Sequence, residues 1–366
     1  MSNVKEYYAV LHENPELGHK EYKTSAWLAE KLTAAGYSVQ AEIGGTGVIG
    51  TLTGALPGPV VVVRADMDAL CHMIDGQECA VHSCGHDAHS AMVLAMAEQM
   101  AKQIGRGILK ILFQPAEETL TGALCMIQAG VLDDADIVLG IHLRPFQEAK
   151  KGQATAALYH GASYILEATL EGVASHGARP HLGVNVIDAA AAVVNAVNAI
   201  HMNPVVPTTV KVTKLQAGGG ALNAIPDKAE LALDLRSQDN VLMEELIKKT
   251  TRAIETAAAT VDAKANVTIK GGVPAAEYHP EIIALAEEAI REVLGHDGLL
   301  PPITTPGGED FHFFVKHKPS IKAGYIGIGC DLTPGLHHPH MSFDVNALQG
   351  GVDILSYMVQ KLLGSK

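Results

Sequence analysis

The stretch Val60-Val61-Val62-Val63-Arg64-Ala65-Asp66, followed by Cys84-Gly85-His86-Asp87-Ala88-His89 and the run Ala91–Met100, decides how this chain is read. The valines read as a buried strand, and the apolar periodicity of Ala91–Met100 reads as a helix. The residues between them lie on a loop entering a helix, near the carboxyl edge of a sheet, where open α/β folds keep their active sites. That loop packs one thiol, one carboxylate and two imidazoles into six residues, with His82 just upstream. Cys beside His favours zinc-type, borderline-soft cations. A His-rich loop without a metal is the plainer reading, so the decision rests on the residues farther along the chain.

Outward from that stretch, the first half alternates strands and helices. Helical periodicity covers Thr24–Ala34 and ends at Gly36, and strands fall near Val48–Leu52 and Val60–Val63. A helix over Ala88–Gln103, a strand at Gly107–Phe113, a helix over Thr121–Gln128 and a strand at Ile137–Ile141 come next. Such alternation predicts a mostly parallel sheet flanked by helices. Character shifts near Ala156–Ala162. Strands at Tyr164–Glu171, Thr208–Leu215, Lys228–Leu235 and Ala265–Lys270, with helices over Val184–His201 and Val241–Ala258, describe a split βαβ sandwich. After Gly271-Gly272 the α/β pattern returns, with a helix over Pro280–Leu294 and strands near Ile321 and at Tyr325–Ile328. A chain of 366 residues exceeds the usual single core. The expected architecture is an α/β domain of residues 1–162 and 273–366, interrupted by an α+β domain at 163–272.

Composition excludes several classes. A net charge of −13 argues against a nucleic-acid surface, which needs a basic stripe. Met1 to Gly18 is polar and no apolar run reaches membrane-spanning length, so neither an export leader nor a membrane span is expected. The five cysteines are odd in number and irregularly spaced, which suits reduced thiols in the cytoplasm. Cys71, Cys79 and Cys84 contain no CxxC pair and make a poor zinc cluster of their own.

Further candidates stand at the ends of other strands. Gly107–Phe113 runs into Gln114-Pro115-Ala116-Glu117-Glu118, where Pro115 ends the strand. Adjacent carboxylates usually sit in solvent; beside a metal loop, one can ligate while its neighbour moves a proton. Ile137–Ile141 ends in His142, placed like Glu118 at the same sheet edge or serving as a satisfied structural imidazole. Leu336-His337-His338-Pro339-His340 offers three more imidazoles. Cys84, His86, Glu118, His142 and one histidine of 337–340 exceed the needs of a single structural zinc and suit two metals sharing a bridging ligand. The inserted domain carries His176, Asn223 and Arg236, donors suited to substrate binding and oxyanion stabilisation. Asn223 as a turn residue and Arg236 in a surface ion pair are the plainer alternatives.

These motifs resemble the dinuclear metallopeptidases that include carboxypeptidase G and the aminoacylases, and most of all the branch of hippurate and auxin-conjugate hydrolases. The resemblance runs from HENPELG at His12 through RADMDAL at Arg64, CGHDAH at Cys84, FQPAEE at Phe113 and GIHLRP at Gly140. It continues through HGARPH at His176, Asn223 to Pro226, Gly308-Glu309-Asp310-Phe311 and LHHPHM at Leu336. It implies two divalent ions per chain (Zn, Mn, Co or Ni), with Cys84 as the bridging thiolate and His86, Glu118, His142 and His337 as the other ligands. It implies Glu117 as general base and acid, His176 as the donor that polarises the scissile carbonyl across a dimer interface, and Asn223 and Arg236 as substrate contacts. Two departures stand out: the segment from Asp68 to His82 is short and carries Cys71 and Cys79, and His338 competes with His337.

The expected function is hydrolysis of the amide bond of N-acyl amino acids or similar small conjugates by metal-activated water. A dipeptidase or carboxypeptidase with the same centre is the alternative, and a binding protein on a hydrolase fold is a third reading. The inserted domain is expected to act as lid and dimerisation unit. Its Ala- and Val-rich helix has apolar groups on more than one face, and covering both takes its own sheet and a second chain.

Overall fold

The computed structural model describes residues 2–364. The chain divides into two compact units, Met1–Tyr159 with Glu277–Thr304 and Glu309–Lys366, and His160–Ala276 with Thr305–Gly308.

The first unit is built on an eight-stranded sheet. Its centre is four mutually parallel strands in the order Arg106–Gln114, Leu56–Asp66, Ile137–Pro145, Lys322–Leu332. Their carboxyl ends share one edge, where Asp66 lies opposite Gln114 and His142 opposite Gly327. Antiparallel strands Ser38–Ile43 and Gly47–Thr53 close one side. Strands buried on both faces read as continuous apolar runs, which is why Val61–Val63 and Leu139–Leu143 carry almost no polar side chains. The helix His86–Met100 is buried nearly all round, and its stretch Ala91–Ala97 carries no polar side chain. It packs against Val4–His12 and Leu348–Leu363 and forms the centre of the core.

The second unit is a four-stranded antiparallel sheet in the order Thr208–Ala217, Lys228–Ser237, Ala162–Glu171, Lys264–Val273. Helices Val186–Asn198 and Asn240–Ala259 supply the other half of its core. Leu231, Leu233 and Leu235 alternate inward along their strand. Both helices are capped, by Asn185 accepting from the Ile187 amide and Asp239 accepting from the Leu242 amide. The fold class read from sequence, a mostly parallel sheet flanked by helices with an inserted α+β sandwich, is the fold found.

Four details differ from the sequence reading. The strand expected to stop at Ile141 runs on to Pro145, because Ile328 and Gly329 continue the ladder opposite Leu143 and Arg144; His142 therefore sits inside the strand. The helix expected from Ala88 begins at His86, because Gly85 turns the chain at φ 89°. The strands expected near Ile321 and at Tyr325–Ile328 are one strand, Lys322–Leu332. A hairpin of Leu70–Ile74 and Gln77–Val81, turned at Asp75-Gly76 with positive φ at both residues, is an addition, as are the helices Val4–His12 and Leu348–Leu363.

Gly140, on the central strand opposite Arg64, shows how tightly this sheet is filled. A Cβ there would lie 2.4 Å from the ring of the wholly buried Tyr325. Gly140→Ala is expected to cost about 1–3 kcal/mol by overpacking, read as a lower urea midpoint at unchanged m.

Candidate metal centre

The shared edge of the parallel strands gathers the candidate residues of the first unit. Cys84 Sγ lies 3.5 Å from His142 Nε2, and His142 Nδ1 donates to the Leu143 carbonyl at 2.6 Å. A ring whose Nδ1 carries the proton keeps its lone pair on Nε2, the side that faces the thiol. His86 repeats the arrangement. Its Nδ1 donates to Asp68 Oδ1 at 3.1 Å, so a neutral ring carries its lone pair on Nε2; burial lowers the His86 pKa, but Asp66 and Cys84 outweigh it and hold the ring well above the usual imidazole range. That Nε2 is buried without a hydrogen-bond partner, 3.8 Å from Glu118 Oε1 and 3.9 Å from Glu117 Oε2. Glu118 Oε1 is likewise buried and unpartnered, with His337 Nε2 3.5 Å away.

Donor atoms of Cys84, His86 and His142 form one group within 4.8 Å of one another, and those of Cys84, Glu118 and His337 form a second. Cys84 belongs to both. Both His337 and the competing His338 are exposed, and His338 accepts the His340 amide on its Nδ1. His337 reaches the cluster from a backbone held at φ 63°, with its amide donating to the Ser83 carbonyl at 2.6 Å.

The residues present fit divalent cations. His86 Nε2 and Glu118 Oε1 are both buried without a hydrogen-bond partner and lie 3.8 Å apart, and unmet buried polar atoms are costly. Thiolate, imidazole and carboxylate are also the donor set that zinc-type ions take. Electrostatics agree. Burial, and after it Glu118, pushes the Cys84 thiol well up, while burial and then His89 hold His142 well down. Burial moves Glu118 up to about 7 against the pull of His86, with Asp68 adding to the rise. Burial, then Glu309 and Asp310, push Glu117 well above the usual carboxylate range. Each shift is what a protein-only site imposes on groups that a bound cation would hold deprotonated.

Around these donors lies a supporting set that sequence reading did not single out. Asp68 Oδ2 accepts the Glu118 amide at 3.0 Å while Oδ1 holds His86, so one carboxylate orients two candidates. His89 donates from Nδ1 to Asp66 at 2.7 Å and accepts the Leu143 amide on Nε2 at 3.0 Å, tying the helix to the strand of His142. Arg64, wholly buried, donates to Asp66, Glu309, Asp310 and Gln114. The available signal was charge inside apolar runs: an Arg and two Asp around a buried strand must be paired.

His176, Asn223 and Arg236 belong to the second unit. His176 and Asn223 are neighbours, since His176 pairs with Ala224 in a short ladder and the Gly177 amide donates to the Asn223 carbonyl at 2.7 Å. Both side chains are exposed. Arg236 donates through Nε and Nη2 to Asp234 at 2.8 and 3.2 Å, the ion-pair arrangement, half-exposed.

Residues 62–361 match Peptidase family M20/M25/M40. The chain belongs to that family. It is 35% identical over 376 residues to the hippurate hydrolase of Campylobacter jejuni, covering 96% of this chain and 94% of that one. It is 29% identical over 368 residues to the N-acetyl-L-cysteine deacetylase of Bacillus subtilis, with 97% and 87% covered. Among solved structures it resembles a dinuclear metal-binding peptidase of the M20 family from Bacillus subtilis, with a TM-score of 0.83, 25% identity, and 99% and 98% of the two chains covered. This M20 chain is thus a metal-dependent hydrolase, as its motifs implied.

Removing the carboxylate that orients two candidate ligands tests this geometry. Asp68→Ala in this M20 protein is expected to weaken divalent-ion affinity about 10–100-fold, measured by competition with a chromophoric chelator, with the fold retained.

Proposed function

We propose that this M20 chain hydrolyses the amide bond of N-acyl amino acids or similar small conjugates, with two divalent ions held by Cys84, His86, Glu118, His142 and His337. The observation that carries the reading is the pair of buried, partnerless polar atoms, His86 Nε2 and Glu118 Oε1, flanked by a second carboxylate, Glu117, outside the two groups that share Cys84. The names of its relatives, one acting on hippurate and one on N-acetyl-L-cysteine, support the acyl-amino-acid class.

When bound, the ions bring the pKa of a water toward ~7 and draw electrons from the carbonyl. The protein's own work is positional and protonic. Glu117 takes the proton of the attacking water and returns it to the leaving nitrogen. Asp68 fixes the His86 ring and the Glu118 backbone together. His176 accepts the Ala178 amide on Nδ1 at 3.0 Å, so its neutral ring carries its proton on Nε2 and offers an N–H donor to a developing oxyanion. Asn223, beside the partner strand of the same ladder, adds an amide, and Arg236 keeps Nη1 for substrate beyond its bond to Pro306.

The inserted unit serves as lid and dimerisation unit. Ile187, on the helix Val186–Asn198, stays 47% exposed beside a face that is already buried, which supports a second chain covering it. The unpaired cysteines support a reducing, cytoplasmic setting. Among the described residues no helix is long and apolar enough to cross a membrane.

Elemental analysis of reconstituted protein is expected to approach two ions per chain, and Cys84→Ala to lose most of them; full activity with one ion overturns the dinuclear assignment. Glu117→Gln is expected to keep both ions and lose about 10²–10⁴-fold in kcat, whereas Glu118→Gln lowers metal affinity. The reverse pattern swaps base and ligand. A panel of N-acetyl and N-benzoyl amino acids is expected to outrun dipeptides, and faster dipeptide cleavage favours the peptidase alternative. Mixing Glu117→Gln with His176→Ala subunits is expected to restore part of the activity. Failure to complement despite subunit exchange removes the action of His176 across a dimer.

A further inference from the structure

The Glu117 carboxylate is held by something other than its own chain neighbours. Asp310 is wholly buried, and donors fill both of its oxygens: Arg64 Nη2 on Oδ1 at 3.0 Å, Gln114 Nε2 on Oδ1 and Oδ2 at 2.8 and 3.0 Å, and the Ala123 amide on Oδ2 at 2.9 Å. A residue pinned from three directions has a fixed main chain. Its amide donates to Glu117 Oε1 at 3.4 Å, a long bond, while Glu117 Oε2 lies on the other side, 3.9 Å from His86 Nε2. Glu309 is saturated too, by Arg64 Nη2 and the Phe311 amide on Oε1 and by Tyr325 Oη on Oε2. Carboxylate oxygens of Glu117, Glu309 and Asp310 lie within 4.8 Å of one another, and the Asp310 amide, with His86, opposes their repulsion of Glu117.

We propose that Asp310 is a positioning residue for Glu117: its backbone amide, locked by the four donor contacts on its side chain, holds Glu117 Oε1 and leaves Oε2 as the oxygen that moves the proton. This rests on the reading of Glu117 as general base. A long, flexible side chain surrounded by like charge needs such a restraint on its rotamer, and a misplacement of about 1 Å in a reacting group costs on the order of 10²-fold in rate.

The test is a double-mutant cycle on the metal-loaded enzyme. In Asp310→Asn an NH2 group replaces an oxygen that accepts N–H donors, which turns donor against donor and displaces the turn. The expected result is a kcat lower by about 10–100-fold, KM within about threefold, and metal content equal to wild type by elemental analysis. In the Glu117→Gln background the same change is expected to cost no more than about twofold, because its target is already disabled. Multiplying losses mean general structural damage and overturn the proposal, as does a crystal structure of Asp310→Asn with Glu117 unmoved. Gln114→Met removes two of the donor contacts at similar volume and is expected to repeat the pattern more weakly; it carries the cycle if Asp310→Asn fails to fold. If Glu117→Gln keeps full turnover, the general-base reading itself falls. If Glu117→Gln is inactive and Asp310→Asn keeps its kcat, only the positioning inference falls.

Discussion

Arg64 is a charged side chain that directly follows the run Val60–Val63 on its strand, and it is 1% exposed. Its guanidinium donates to Asp66 on its own strand, to Gln114 at the end of the adjacent strand, to Tyr325 on the outer parallel strand, and to Glu309 and Asp310 from the late part of the chain. A planar fork with five donors can serve that many acceptors at once, and the compact ammonium of lysine cannot. It also lies over the Phe311 ring at 5.9 Å. Removing one member of such a buried set leaves the others uncompensated, at a cost of about 3–5 kcal/mol. The strand ends that carry the candidate ligands are therefore held in register by an ionic centre behind them.

That centre leaves an excess of negative charge. Asp66, Asp68, Glu117, Glu309 and Asp310 are all buried, and the single guanidinium of Arg64 is shared among three of them, Asp66, Glu309 and Asp310. Further neutralisation must come from the histidines, from protons, or from added cations. The imidazoles are oriented toward the same place: His86 and His142 both direct Nδ1 at a fixed acceptor and turn Nε2 toward the thiol and carboxylates. Orienting each ring from behind is how metal-binding histidines are prepared. The surplus of charge and the orientation of the rings thus reach the same conclusion by separate routes.

Much of this is legible in sequence because the patterns are local. Valine runs, helix periodicity and the Cys-Gly-His stretch each sit within a dozen residues, and they carry the fold class and the candidate donors Cys84 and His86. The features that escape such a reading depend on distant partners. His142 looks like a strand end because the apolar run stops at Ile141, yet the ladder continues through main-chain atoms of Ile328 and Gly329, which a side-chain pattern cannot reveal. That His337 stands near Cys84 and Glu118 depends on one backbone at φ 63° and a bond to Ser83, neither written in residue types. Arg64 and Asp310 stand 246 positions apart, so their pairing carries no local signal at all. The Asp75-Gly76 turn is different: Asp-Gly between two short strands is itself a hairpin signal.

Adjacent residues with different tasks need different surroundings, and the backbone at 116–120 provides them. Ala116 sits at φ 54° and Leu120 at φ 57°, conformations unusual for residues with a Cβ. Their strain is offset by bonds from outside the turn: the Ala116 amide donates to the buried Glu21 carboxylate at 2.8 Å, and the Glu118 amide to Asp68 at 3.0 Å. Glu21 is held in turn by the Thr46 hydroxyl at 2.6 Å. The strained turn sends Glu117 toward the Arg64 centre, among other carboxylates, and Glu118 toward Cys84 and His337, among metal-type donors. Two chemically identical side chains one peptide apart thus share His86 but differ in their other neighbours. A pair of carboxylates separated in this way can supply a ligand and a base from a single Glu-Glu step.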